Sequence, residues 1–490
     1  MAAAVSKTNS DASVPTAGVN GSKLRLGLAA VILFAMAVRL VSLSFAPTYA
    51  YLPDHLDYMG WSGYIHQNGL TSAYSMPAGL PVPYHMVDAA GKARPMMAKT
   101  PHAFNYPPLG AYVFWAQGAL WRAIDTPAPA AGGAPSQPPA MALPFANTIT
   151  ARAVNALPNV ICDFVLAFGV AGMVWRLRGR PRRGWIELAA LTLTLLAPPL
   201  FLDSSFWNQA DSWIGCLLVW TLNGLLDGRF LFAGLVYGLA LVTKPQAILL
   251  GPVLGFAFLA HWLMPGQRSA ALRGLLMLVS AAAAVVGVVA LPFMLADARI
   301  ADGPFRWFRN SYQETLTTQA YQRVTLNAFN LWMLDSVARP APRSMDEISD
   351  QVLLVGIRKS VVGKSLLAAA VLVVFGLCLR QRNVGAEVGI VCAFLVTFAA
   401  FFLPTGVHER YIYYCIPFAI ALAFIRRRWI LPLALLLIIG TFEMVSFRFV
   451  QVNNPASRSQ VAVLSILALI AFVWSFVAAS MPLNSRNTKH

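Results

Sequence analysis

"GLLMLVSAAAAVVGVVALPFML" occupies residues 274–295 and contains no charged side chain. An α-helix rises about 1.5 Å per residue, and the hydrocarbon core of a bilayer is about 30 Å thick. About 20 apolar residues therefore suffice to cross it. The segment predicts a transmembrane helix.

Segments of this kind recur along the chain. Of its 490 residues, 58% are hydrophobic and 12% are charged, and the mean hydropathy is +0.61. Soluble domains have about 45–50% apolar and about 25% charged residues, so the composition predicts a membrane protein. We predict an all-α polytopic protein with about twelve transmembrane helices, within a range of about eleven to fourteen. The predicted spans are 24–46, 153–175, 185–202, 209–226, 230–243, 246–264, 274–295, 361–379, 384–404, 411–425, 429–448 and 461–481.

The net charge of +17 comes from short Lys/Arg clusters between the apolar runs. This is the positive-inside pattern of membrane topology, so it argues against nucleic acid as a partner. It predicts a disordered cytoplasmic tail (1–22), a single membrane domain (23–481) and a second cytoplasmic tail (482–490). The Ala- and Arg-rich composition suits a bacterial inner membrane.

Two long segments are then external, 47–152 and 296–360. Within the first, residues 107–124 are apolar but carry Trp115 and Trp121, which favours a re-entrant or interfacial helix. Residues 125–150 are rich in Pro and Ala and are predicted to be irregular. Long loops on one face of a helical scaffold are where function concentrates.

The five cysteines all lie in apolar segments, without CxxC spacing or nearby His partners. They are predicted to be small buried hydrophobic residues, not a disulfide framework or a zinc site.

Ionisable and amide side chains from separate segments fall on the external face. Lys244 and Arg410 are on the side that the positive-inside rule disfavours, and such charges mark functional sites by default. A carboxylate there can act as a general base, and cations can hold a phosphate. No nucleotide-binding motif is present, so the predicted donor is a lipid-linked phosphate. The residues concerned are Asp54, Asp57, Asp203, Asp211, Lys244, Asn327, Asn330, His408, Glu409 and Arg410.

Six short motifs in order over residues 38–415 resemble the GT-C superfamily of polyprenyl-phosphate-sugar-dependent glycosyltransferases. The likeness is to the endoplasmic-reticulum glucosyltransferases that extend the lipid-linked oligosaccharide and to bacterial homologues of the second GPI mannosyltransferase. The motifs are "VRLVSL" (38–43) followed by "PDHLDYMGW" (53–61), "NYPPLGAY" (105–112), "FWNQADS" (206–212), "TKPQA" (243–247), "LNAFNLW" (326–332) and "GVHERYI" (406–412).

The resemblance implies roles for the matched residues. Asp54, seven residues before Trp61, would be the catalytic base in the loop after the first helix, with Asp57 as the alternative base. The reaction would be a single displacement with inversion, so that a β-linked donor gives an α-linked product. The donor phosphate would be held by Arg39, Lys244, His408 and Arg410. Substrate-binding positions would be Asn105, Tyr106, Gln209, Asp211, Gln246, Asn327, Asn330 and Glu409.

Two departures from the family pattern bear on the acceptor. Leu56 stands where eukaryotic members carry an acidic residue, and an extra residue separates Asp203 from Gln209. The resemblance implies neither a metal nor another cofactor. The acceptor, whether a glycan, a lipid-linked sugar or a protein, stays open, as does the choice between mannose and glucose.

A transporter or flippase for a lipid-linked or anionic substrate is the main alternative, and a non-catalytic subunit of another enzyme is a third. A transporter would be expected to have internal repeats and helices broken near the bilayer midplane. The sequence contains no internal repeat, and its polar residues gather on one face.

Overall fold

A computed structural model of the chain describes residues 21–88, 91–125, 143–179, 184–298, 300, 303–314, 322–338, 348–381, 385–446 and 455–482. The predicted tail 1–22 and tail 482–490 lie almost wholly outside these residues, as does most of the predicted irregular segment 125–150.

The described residues are mostly helical. In chain order the α-helices are α1 (Gly21–Tyr49), α2 (Leu52–Asn68), α3 (Pro108–Ile124), α4 (Ile149–Leu177), α5 (Trp185–Leu196), α6 (Pro198–Phe201), α7 (Asp211–Leu226), α8 (Phe230–Leu241), α9 (Gly251–Leu263), α10 (Arg268–Asp297), α11 (Arg306–Phe308), α12 (Leu331–Ala338), α13 (Lys359–Leu379), α14 (Ala386–Phe402), α15 (Ile416–Ala423), α16 (Ile430–Ser446) and α17 (Pro455–Ser480). Short 3₁₀ segments occupy Leu70–Ser75, Pro245–Leu250, Glu409–Tyr414 and Arg427–Trp429, and π-helical turns occupy Leu202–Trp207 and Arg309–Glu314.

Within the described ranges, seven helical segments are long and apolar enough to cross a membrane. They are Gly21–Tyr49, Ile149–Leu177, Pro245–Leu263, Arg268–Asp297, Lys359–Leu379, Arg427–Val445 and Arg458–Ser480. The bent pair Trp185–Leu196 and Pro198–Trp207 would make an eighth. The chain is thus a multi-pass, largely helical membrane protein, as predicted, but the count of about twelve spans is not confirmed.

Several predicted spans are shorter or more broken than expected. The predicted span 185–202 bends by 50° where Ala197 precedes two prolines, because a residue before proline is driven out of the helical region. The predicted span 411–425 is a 3₁₀ turn followed by the eight-residue α15. The helices Phe230–Leu241 and Ala386–Phe402 are apolar but short.

Two antiparallel hairpins add strands that an all-α prediction omits. β1 (Pro81–Val87) pairs with β2 (Ala93–Lys99) in the first predicted external segment. β3 (Leu353–Leu354) pairs with β4 (Ile357–Arg358) in the second. Strand pairing satisfies the backbone polar groups of segments whose sequence has no helical period.

Close packing of helices depends on small residues. A Cβ on Gly234 of α8 would lie 2.3 Å from the carbonyl oxygen of Leu278 in α10, so this crossing requires glycine. A Cβ on Gly118 of α3 would lie 2.1 Å from the carbonyl oxygen of Ser62 in α2. The latter contact fixes α2, which carries Asp54 and Asp57, against α3.

Two buried clusters frame the site. The larger one joins α4, α7, α9 and α14–α17, and α14 is buried on nearly all sides, as expected for the central helix of a bundle. The smaller one is aromatic and joins α2, α3, α7 and α10 through side chains that include Tyr58, Trp61, Phe114, Trp213 and Phe293. It holds the first predicted external segment on the ends of the apolar helices.

Candidate functional site

A cavity of about 480 Å³ lies where the ends of several helices meet. Its wall comes from α2, the segment before α3, the turn after α8, and the segments that precede α12 and follow α14. Ten predicted site residues line it: Asp54, Asp57, Asn105, Tyr106, Lys244, Gln246, Asn327, His408, Glu409 and Arg410. Five widely separated motifs therefore converge on one space.

Asp54 lies in the first turn of α2, not in a loop as predicted. Pro53 precedes it in that turn, where proline is favoured, and a carboxylate there is stabilised by the helix dipole. Its side chain is 22% exposed, and Nη1 of Arg410 lies 3.8 Å from its Oδ2. The carboxylate is therefore accessible from the cavity and has a cation beside it.

Gln209 holds the carboxylate of Asp54 in position, although Gln209 does not itself line the cavity. Its Nε2 donates to Oδ2 of Asp54 at 2.6 Å, and its Oε1 accepts from the hydroxyl of Tyr58 at 2.7 Å. The Tyr58 hydroxyl in turn lies 3.0 Å from that of Tyr106. The π-helical turn 202–207 ends at Asn208, whose φ of 58° is left-handed, and this reversal delivers Gln209 to the site.

Asp211 is the buried counter-ion of two cations of the cavity wall, Lys244 and Arg410. Nζ of Lys244 donates to its Oδ1 at 2.6 Å, Nε of Arg410 lies 3.2 Å from its Oδ2, and Tyr414 donates to Oδ1 as well. Lys244 is extended because it precedes Pro245. Asp211 is fully buried, so it positions the cations from the protein side and does not face the cavity.

The segments 324–327 and 406–409 run side by side. Leu326 N donates to Val407 O at 3.0 Å, and Glu409 N donates to Leu326 O at 3.1 Å. Asn327 has a φ of 65°, which asparagine tolerates better than most residues. These contacts explain why "LNAFNLW" and "GVHERYI" contribute to the same wall.

His408 was predicted as a cation. Burial and the nearby Arg410 lower its pKa, although Glu409, whose Oε2 lies 3.7 Å from Nδ1, acts in the opposite direction. The lowered pKa favours the neutral ring, which can donate or accept a hydrogen bond in the cavity.

Asp57 contacts His102, a residue that the sequence analysis did not single out. Its Oδ1 accepts from the backbone N–H of His102 at 3.1 Å, and its Oδ2 lies 2.8 Å from Nδ1 of the same residue. Burial raises the pKa of Asp57 to about 6 despite these contacts, and the hydrogen bond with Asp57 raises the pKa of His102. With both oxygens occupied, Asp57 is the poorer of the two candidate bases.

Replacing Asp57 with Asn is expected to lower the pKa of His102. The introduced amide would carry no charge to stabilise the imidazolium, whereas burial would still disfavour it. Diethyl pyrocarbonate acylates the unprotonated ring, so the pH midpoint of carbethoxylation at His102, followed by peptide mass spectrometry, measures this change. The midpoint at His102 in the wild type, measured under the same conditions, is the reference. An unchanged His102 midpoint in D57N would contradict the pairing.

Two predicted site residues lie elsewhere. Arg39 is buried in α1, where Nε and Nη2 donate to Oδ2 of Asp163 at 3.1 and 2.7 Å and Nη1 donates to Leu195 O at 3.0 Å. Oδ1 of Asn330 accepts from the backbone N–H groups of Trp332 and Met333 at 3.1 and 3.2 Å, so Asn330 caps α12. Neither residue lines the cavity.

Other lining residues were missed by sequence reasoning. They are Tyr51, Tyr58, Trp61, His102, Trp207, Pro245, Arg323 and Leu326. His102 stands three residues before the "NYPPLGAY" motif, and Arg323 three residues before "LNAFNLW". Proximity to these motifs was the available signal, but nothing local distinguishes His102 from the other histidines.

Sequence comparison with protein families and with curated proteins finds no match. No protein-family model matches the chain, and no curated protein is similar enough in sequence to count as a homologue. The resemblance to the GT-C superfamily therefore depends on the six motifs, and a functional assignment depends on the chemistry of the cavity.

Proposed function

We propose that the chain is an integral-membrane inverting glycosyltransferase that moves a hexose, mannose or glucose, from a polyprenyl phosphate to an external acceptor. One observation carries the proposal. A partly exposed carboxylate, Asp54, shares a cavity with two fixed cations, Lys244 and Arg410, in a protein built of membrane-length helices. Transfer from a lipid phosphate needs a base for the acceptor and cations for the leaving group.

The proposed chemistry is a single displacement. Asp54 takes the proton of the acceptor hydroxyl as its oxygen attacks the anomeric carbon of the donor. The bond from that carbon to the phosphate oxygen breaks, and the electron pair leaves with the polyprenyl phosphate. Lys244 and Arg410 stabilise the negative charge that develops on that oxygen, and Gln209 holds the carboxylate in position. Attack opposite the leaving group inverts the anomeric centre.

A lipid donor is supported by a second feature beside the cavity. An apolar groove of about 580 Å³ is lined by residues of α1 and the turn at 201–206, including Tyr49 and Phe206. Tyr51 and Trp207, which follow these residues closely in sequence, line the polar cavity and stack with ring centroids 6.3 Å apart. An apolar chain and its phosphate head would thus have adjoining surfaces of matching polarity.

The proposed function also implies an arrangement of the helices in the membrane. We infer a GT-C-like bundle in a bacterial inner membrane, in which short apolar helices such as Phe230–Leu241 and Ala386–Phe402 supply further crossings. The cavity then opens on the periplasmic face. The acceptor is a glycan, a lipid-linked sugar or a protein, and nucleic acid is not a partner.

The test uses the purified full chain in nanodiscs. Radiolabelled polyprenyl-phosphate-mannose and polyprenyl-phosphate-glucose are supplied separately, together with a membrane extract as a source of acceptors. Appearance of free polyprenyl phosphate and of label in a non-donor product is the expected result, with one of the two sugars preferred. The control is the same protein with both Lys244 and Arg410 changed to Met, which should release no lipid phosphate.

A different result would favour the flippase. If proteoliposomes moved the intact donor between leaflets without release of sugar, the protein would be a transporter and the glycosyltransferase proposal would be wrong. Equal donor turnover in the wild type and the double variant would likewise remove the two cations from the mechanism.

A further inference from the structure

The pair formed by Asp57 and His102 is not used by the displacement chemistry. Asp57 is buried, and both of its oxygens contact His102, one through the ring and one through the backbone N–H. Nε1 of Trp61, one turn further along α2, donates to the carbonyl oxygen of His102 at 3.1 Å. Three contacts from one helix therefore fix the position of this histidine.

The fixed ring lies in the wall of the cavity. Nδ1 is taken by Asp57, so Nε2 is the remaining polar atom of the ring, and the side chain is 57% exposed while lining the cavity. A carboxylate that holds one ring nitrogen sets the orientation and tautomer of a histidine for a ligand at the other nitrogen. Burying a carboxylate is costly unless it is hydrogen-bonded, and His102 contacts both oxygens of Asp57.

The position of the pair relative to Asp54 indicates what it meets. Asp54 and Asp57 are three residues apart on α2, so their side chains lie on one face of the helix with Cβ atoms about 5–6 Å apart. In the proposed reaction the anomeric carbon of the donor lies next to the hydroxyl bound by Asp54, and the phosphate lies towards Lys244 and Arg410. The remaining hydroxyls of the donor hexose must then extend along the wall away from these cations.

We propose that His102, held by Asp57, hydrogen-bonds a hydroxyl of the donor hexose and so recognises the sugar and not the phosphate. The inference rests on the proposed function. In it His102 is a specificity-determining residue, and Asp57 is a positioning residue that acts through His102. The neutral ring would accept a hydrogen bond from the sugar hydroxyl at Nε2. The protonated ring would donate one to it from the same atom.

The experiment compares, for each lipid, the variants with the wild type; the glycosyl lipid is a phosphodiester, whereas bare polyprenyl phosphate lacks the sugar and is a more highly charged monoester. Binding of the sugar donor preferred by the wild type and of bare polyprenyl phosphate is measured in nanodiscs. The variants are H102N, H102Q and D57N. Asparagine can still reach Asp57 with its amide but has no atom where Nε2 lies, whereas the longer glutamine side chain can place an amide group there.

Loss of the sugar contact should weaken binding of the glycosyl lipid about tenfold in H102N, the effect of one hydrogen bond. Binding of bare polyprenyl phosphate should not change in any variant. H102Q should recover most of the lost affinity, and D57N should resemble H102N because the ring is no longer held. Equal thermal unfolding of H102N and the wild type confirms that the fold is intact.

Two outcomes would overturn the inference. Unchanged affinity of H102N for the glycosyl lipid would remove the contact. An equal loss for both lipids would assign His102 a structural or phosphate-binding role. Failure of the wild type to bind either lipid differs from both, because it would refute the proposed function as well.

Discussion

Replacement of Asp54 by Asn is expected to reduce sugar transfer by about 10²- to 10⁴-fold, the range that a general base contributes. The amide cannot accept the acceptor proton. Its oxygen can still accept the hydrogen bond that Gln209 Nε2 makes to Asp54 at 2.6 Å, so the local structure should persist. Turnover is measured as release of polyprenyl phosphate, and donor affinity is measured separately on the same sample.

The matched control is Asp57→Asn, one helical turn away on α2. Because both oxygens of Asp57 contact His102, this variant should weaken donor binding and leave the turnover of bound donor near the wild-type rate. If D54N turned over donor as fast as the wild type while D57N did not, the base would be Asp57 and the assignment made here would be reversed.

Replacement of Arg39 by Met is expected to destabilise the fold by about 3–5 kcal/mol, the usual cost of breaking a buried ion pair from one side. Arg39 and Asp163 are each 2% exposed and lie 2.7 Å apart. The guanidinium also donates to the carbonyl oxygens of Ala35 and Leu195, so it links α1 to α4 and α5. The R39M variant would leave Asp163 buried without its cation.

Thermal unfolding followed with a thiol-reactive dye measures this change, since four of the five cysteines are buried in the folded chain. Arg25→Met, at an exposed position on the same helix, is the control and should change stability by no more than about 0.5 kcal/mol. Asp163→Asn should be destabilising alone but should restore part of the stability lost in R39M. Lower donor affinity in R39M with unaltered stability would support the phosphate-binding role that the resemblance implied.

The positions of the membrane-length helices could be read from the sequence because lipid imposes a local requirement. Each crossing needs a continuous apolar run, and the segment 274–295 lies inside one helix, α10, as predicted. The short and bent elements could not be predicted as reliably. The bend between α5 and α6 and the 3₁₀ turn before α15 depend on proline placement and on neighbours that pack against them.

The residues of the candidate site, too, could be predicted only in part. Lys244 and Arg410 stood out in the sequence because a cation at that end of an apolar run is costly, and both line the cavity. Arg39 was assigned to the donor phosphate only through the resemblance, and in the structure it pairs with Asp163, 124 residues away. A charged residue in an apolar helix indicates that the folded chain supplies a partner for it, but the sequence does not identify that partner.

The sequence by itself therefore determined that lipid surrounds this protein, where most of its helices lie, and which polar segments could form a site. The tertiary structure alone decided how the charges are paired: Asp211 with Lys244 and Arg410, Asp163 with Arg39, and Asp57 with His102. The physical reason is the distance over which each effect acts. Burial in lipid acts on each segment separately, whereas a buried charge is stabilised by groups within a few ångströms that the folded chain brings from distant positions.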